Sequence, residues 1–254
     1  MSSSEFAINH LEKFTSLRNA PIVEAVLQFN APPSIAFQQT ELKELLAKDF
    51  ARYKLHDQMQ HETGFQSSVD GNVAMQHRSQ WDGFRIDSDD GKQICQWKRN
   101  CLAFSRLQPY ETWTKLLDAA MPFWSAYRKV GDPAIIEGIE VRFISQIPLK
   151  EHEKPSKYIQ KLPPPLIGLG LRADAFFHQD TIPLNGYPYE VRLIRAMQPA
   201  AEKTGSKRVL IVDINVSTKE AVIFENLDRT LDELRYIKNK VFFTYMKDTD
   251  KHFG

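Results

Sequence analysis

The chain has 254 residues with 33 Lys/Arg against 32 Asp/Glu, an ordinary soluble composition at 42% hydrophobic and 26% charged. That balance lacks the excess positive charge that drives general binding to phosphate backbones, and nucleic acid is not the expected partner. No apolar run approaches the roughly 20 residues needed to span a bilayer, and MSSSEFAINHLEKF has no secretory pattern, so no membrane association and a cytoplasmic location are expected.

In chain order, PIVEAVLQF (21–29) reads as the first strand, closed by the stiff NAPPS segment. A helix follows, with Leu42, Leu45, Leu46, Phe50 and Tyr53 on one face. Residues 54–107 read as a meander whose clearest turn is SDDGK at 88–92. Within it, Cys95 and Cys101 fall in one strand-like run, which places them about 20 Å apart at ~3.3 Å per residue. A disulfide needs Cα atoms within about 7 Å, so both are read as free thiols unless the strand folds back. The second helix carries Trp113, Leu117, Ala120, Trp124 and Tyr127, is kinked at Pro122 and ends at Gly131.

The same order of elements then begins again. AIIEGIEVRFISQIPL is a strand, and EKPSKYIQKL a short helix stopped by the prolines at 163–165. Three strands follow, LGLRADAFFHQDTIPL, YEVRLIRAM and KRVLIVDINVS. The last helix has Leu227, Leu231, Leu234, Val241 and Tyr245 along one side, with Asn226 as its N-cap. The expectation is an α+β single domain over 1–254, built of two pseudo-repeated β-α-β-β-β-α halves (about 16–131 and 132–247) that share one curved, mainly antiparallel sheet with the long helices on one face.

Three stretches, SLRNAPIVEAVLQF (16–29), FSRLQPYETWTKL (104–116) and EVRFISQIPL (140–149), together resemble an uncharacterised bacterial protein family of about the same length, scattered sporadically across genomes. The resemblance implies a fold shared along the chain and supplies no reaction, cofactor or catalytic residue. Sporadic occurrence is typical of accessory genes, including defence and toxin–antitoxin loci, and points to a protein partner.

Side chains alternate along a strand, so Ile22, Glu24, Val26 and Gln28 share one face of PIVEAVLQF, while Val23, Ala25, Leu27 and Phe29 form the core face. By the same parity Glu140 and Arg142 lie opposite Ile139, Val141 and Phe143, and Arg106 goes with Phe104. A curved sheet would gather Glu24, Arg106, Glu140 and Arg142 on its concave surface. Arginine suits an anion there through its planar fork; the competing expectation is that the two acids are held across strands by the two arginines. Arg18, before the first strand, either extends this cleft or fixes the strand's start, and Tyr110 is a rim or core aromatic.

Other motifs carry little. His56 and His61 have neither helical nor same-face strand spacing for a metal pair. His178 shares a strand face with Asp174 and Asp180, as base, ligand or solvated residue. GLGLR at 168–172 lacks the third glycine of a dinucleotide loop, and no nucleophile elbow or P-loop is present. Lys92, Lys98 and Arg99 beside Trp81 and Trp97 are offset by Asp82, Asp87, Asp89 and Asp90. No cofactor, metal or catalytic residue is expected. The leading functional expectation is a non-enzymatic module that binds a protein partner or a second copy of itself; the alternative is a small-molecule sensor or enzyme that holds an anionic ligand through Arg106 and Arg142, with Glu24 as its base.

Overall fold

Alternation along the strands builds one sheet with an oily face and a polar face, and the amphipathic helices cover the oily one. The computed structural model describes residues 6–67, 73–161, 174–200 and 206–254, with only the backbone described for 61–67 and 73–78. In chain order these form β1 (Ile22–Asn30), α1 (Gln39–Asp49), β2 (Tyr53–Ser67), β3 (Val73–Ser88), β4 (Gln93–Lys98), β5 (Cys101–Leu107), α2 (Trp113–Gly131), β6 (Gly138–Leu149), β7 (Phe176–Pro183), β8 (Tyr189–Pro199), β9 (Arg208–Thr218), α3 (Leu227–Tyr245) and α4 (Thr249–Phe253). The strands make one antiparallel nine-stranded sheet in the order β2-β3-β4-β5-β1-β6-β9-β8-β7. The class is α+β, with four helices among the described residues.

The pairing registers show why the sheet holds together. One row runs Leu55, Ile86, Cys95, Phe104, Leu27, Val141, Val216, Val191, Ile182, apolar from edge to edge. The next row, on the opposite face, runs Lys54, Asp87, Ile94, Ser105, Val26, Arg142, Asn215, Arg192, Thr181. A slip of one residue in any strand would swap these faces, which locks the register. Helix α2 lies over β4 and β5, and α3 over β6 and β9. Under α2, Phe29 stacks on Trp124 at 4.2 Å, Phe50 stacks on Phe123 at 4.0 Å, and the buried Tyr127 hydroxyl donates to the Ala31 carbonyl at 2.9 Å. Pairs of this kind add about 0.5–1.5 kcal/mol beyond the area they bury.

Several expectations need correction. The halves are not equivalent: four strands lie between β1 and α2, three between β6 and α3, and only a 3-10 turn at Pro155–Lys157 stands where a second short helix was expected. The prolines at 163–165 lie outside the described residues. The chain does fold back between the cysteines, at Arg99–Asn100, yet Cys95 faces the helices while Cys101 pairs across from Asn30 on the other face; both are free. Leu116, not Leu117, is the deeply buried residue of α2, and Pro122 sits inside that helix without ending it. At its end the left-handed residue is Asp132 (φ 43°). Gly131 is needed for space instead, since a Cβ there would meet Pro33 at 2.8 Å and Phe37 at 2.9 Å. Asn226 does occupy the N-cap position of α3, closing a 3-10 turn, but its side chain makes no capping bond. The GLGLR segment lies outside the described residues, as do the side chains of His61 and Glu62.

Candidate functional site

On the polar face most charged groups near β6 are paired, while the buried Asn215 Oδ1 has no partner among the described residues. Arg142 makes a two-pronged pair with Asp213, Nε to Oδ1 at 2.9 Å and Nη2 to Oδ2 at 2.6 Å, and Asp213 is only 5% exposed. Glu140 accepts from the Asn215 amide at 2.9 Å and from Asn30 at 3.5 Å. Glu24 stands between Leu107 and Ile144 in register; it hydrogen-bonds to neither arginine and only reinforces the charge of Arg142 at longer range. Arg106 is not on this face at all. It pairs in register with Ala25, on the helix side, and reaches Glu111 at 3.3 Å. The expected concave cluster therefore divides: Glu24, Glu140 and Arg142 stay together, and Arg106 joins Tyr110 near the start of α2. Arg18 is exposed and joins neither group.

A different site lies on the helix side, where α3, the start of α2, β6 and the segment 14–22 leave a cavity of about 200 Å³. Its walls mix aromatic and aliphatic side chains, among them Phe14, Ile22, Phe143 and Phe242, with the hydroxyl and amide groups of Thr15, Ser16, Thr112, Ser145 and Asn239. Phe14 stacks on Phe243 at 5.4 Å, and the Asn19 amide donates to the Phe253 carbonyl at 2.9 Å, which ties segment 14–20 down as one wall. Thr112 caps α2, its Oγ1 accepting from the Lys115 amide at 3.2 Å, and this fixes Tyr110 and Trp113 at another wall. Tyr110 sets its ring against Phe143 edge to face at 5.1 Å.

Into this cavity points Lys238. It occupies the buried stripe of α3, one turn after Leu234 and one turn before Phe242, and is 8% exposed. Among the described residues its ammonium has no hydrogen-bond or ion-pair partner; it lies over the face of the Phe143 ring, 3.9 Å from the ring centre. A cation over an aromatic face gains about 2 kcal/mol or more when desolvated, less than the cost of burying it unpaired. Burial, with a smaller push from the Arg235 charge, lowers its pKa from 10.5 to about 7. Burial also raises the Tyr110 phenol well above its ordinary value, so it stays protonated. The other charged groups bordering the cavity are Arg235 and Glu111. Glu111 is already held by Lys115 and Arg106, with Lys115 the main cause of its lowered pKa. The cavity thus combines an aromatic wall with hydroxyl and amide groups, carries positive charge, and its one carboxylate, Glu111, is already paired.

A second hollow of about 280 Å³ adjoins it across Tyr110–Thr112 and contains Arg106 and Lys115. Of the residues singled out in the sequence, then, Tyr110 lines the main cavity and Arg106 its neighbour. Lys238 went unrecognised, although its signal is in the helix pattern: the stripe Leu227, Leu231, Leu234, Val241, Tyr245 skips one inward position, and Lys238 fills it. His178 and Asp180 pair on the face of β7. The His178 Nε2 lies 3.1 Å from Asp180, which also binds Arg195. Among the described residues no group of three or more His, Cys, Asp or Glu is placed to hold a metal ion, and no helix is long and apolar enough to cross a membrane.

Compared with protein-family models, curated proteins and solved structures, the chain matches none. Its chemistry rests on the site itself.

Proposed function

We propose that the protein is a small-molecule-binding module whose ligand is a compact organic anion with an apolar or aromatic body. The observation that carries this reading is Lys238, buried and unpaired at the aromatic wall of the cavity. An evolved core fills such a position with leucine unless something else supplies the missing negative charge. Arg235 at the cavity border adds a second positive group. The volume is below the roughly 300–1,000 Å³ of drug-sized sites, which suits a ligand of about one substituted ring. Anion recognition, first sought at Arg106 and Arg142, is relocated to Lys238 and Arg235. Titration calorimetry with benzoate as the probe tests this: the protein binds it, and Lys238→Met, folded by thermal denaturation, does not. Equal binding by both proteins would refute the assignment.

A second reading, a protein partner or a second copy of the chain, is favoured by β7. Among the described residues nothing pairs with its outer edge, and Phe177 and Ile182 are 69% and 45% exposed there. Edge strands of this kind recruit further strands. The adjacent central strands β1 and β6, each flanked by its own meander, support the idea of a duplicated unit, and the free cysteines support a reducing, cytoplasmic setting. A mobile defence or toxin–antitoxin locus remains a proposal that rests on the sequence resemblance alone.

A further inference from the structure

Building on the ligand-binding reading, we infer that Lys238 captures the carbonyl group of a small oxo acid as a reversible imine, with Tyr110 as the proton donor. Three features of the cavity support it. Lys238 has no carboxylate to hold it as a cation, so its amine is free to act as a nucleophile, the standard way a desolvated lysine is activated. Tyr110 and Lys238 border the same ring, with Nζ at 3.9 Å and the tyrosine ring at 5.1 Å from the centre of Phe143, and the Tyr110 hydroxyl has no hydrogen-bond partner among the described residues. Arg235, at the cavity border one turn before Lys238, is placed for the carboxylate end of the same molecule.

The chemistry balances without a cofactor. The Lys238 nitrogen lone pair forms a bond to the carbonyl carbon while the C=O π pair moves to oxygen and takes the Tyr110 proton. The nitrogen then gives up a proton to restore Tyr110, leaving a neutral carbinolamine. Return of the nitrogen lone pair expels the hydroxyl, which leaves as water with a proton from Tyr110, and the tyrosinate recovers the remaining N–H proton to give the imine. Nothing is oxidised or reduced. The near-neutral pKa of the lysine leaves a large share of free amine at physiological pH.

The test is reductive trapping of the full-length protein with 4-formylbenzoate and cyanoborohydride, followed by intact mass and peptide mapping. The expected result is a single saturable modification at Lys238, blocked by excess benzoate. Tyr110→Phe should slow it by ~100-fold, the usual scale of a general acid. Modification spread over exposed lysines with no preference for Lys238, while benzoate still binds, overturns the imine and leaves the anion site standing. Absence of both Lys238 labelling and benzoate binding overturns the two readings together.

Discussion

Replacing Lys238 with methionine should make the protein more stable, against the general trend that core substitutions destabilise. Between about pH 7 and 10.5 the unfolded chain keeps a proton on this lysine that the folded chain has released. Over that window folding stability rises with pH, by up to ~1.4 kcal/mol per unit. Across the whole interval the burial of the charge costs about 5 kcal/mol, and the cost is fully present below pH 7. Methionine keeps the unbranched stem and removes the charge. At pH 6 the substitution should therefore stabilise by about 3–5 kcal/mol, with the gain shrinking toward pH 10. The other titrating groups at the cavity do not mask this, because burial keeps Tyr110 protonated and a hydrogen bond from Lys115 keeps Glu111 ionised over this range. Urea denaturation of both proteins from pH 6 to 9.5 measures it. A variant less stable than the natural chain at pH 6, with an unchanged pH slope, would refute the reasoning, because it would mean that the ammonium is paired or hydrated in the folded state.

Three further outcomes follow from the same structure. Gly83→Ala should cost about 4 kcal/mol or more by urea denaturation, since φ is +146° there and a Cβ would sit 1.9 Å from the Trp97 carbonyl oxygen. Arg142→Met should cost about 3 kcal/mol by leaving Asp213 buried and unpaired, and adding Asp213→Leu should bring the chain back to within about 1 kcal/mol of the original. Benzoate binding at pH 8 should take up close to one proton, read as a calorimetric enthalpy that varies with the ionisation enthalpy of the buffer; at pH 5.5 the uptake should vanish because Lys238 is already charged.

The fold was most legible where one period dominates. Ala25, Leu27 and Phe29 alternate cleanly, as do Ile139, Val141 and Phe143, and all six are buried as their parity demands. Where the chain turns without glycine or proline, the pattern hides the break: Asn100 is the lone turn-favouring residue at Arg99–Asn100, so β4 and β5 read as one strand. The position of Arg106 shows a related limit. Its shared parity with Phe104 was readable, but only the pairing of Phe104 with Leu27 says which face that parity occupies. Asp213 and Asn215 are two polar residues of equal parity in an apolar strand, and the arginine that answers Asp213 lies 71 residues earlier and is brought there by the β6–β9 register. Lys238 is the converse case. Its place on the buried stripe is local information, while the absence of a partner is a property of the whole tertiary arrangement and cannot be read from the helix alone.

The most direct test of the ligand site is an NMR titration of the Lys238 side chain in the full-length protein, with and without benzoate. The account predicts a midpoint near pH 7 for the free protein. It also predicts a clear rise toward the ordinary lysine value once the carboxylate is bound, as an opposite charge at close range requires. A midpoint near 10.5 in both samples would contradict the claim that this lysine waits, uncompensated, for an anion.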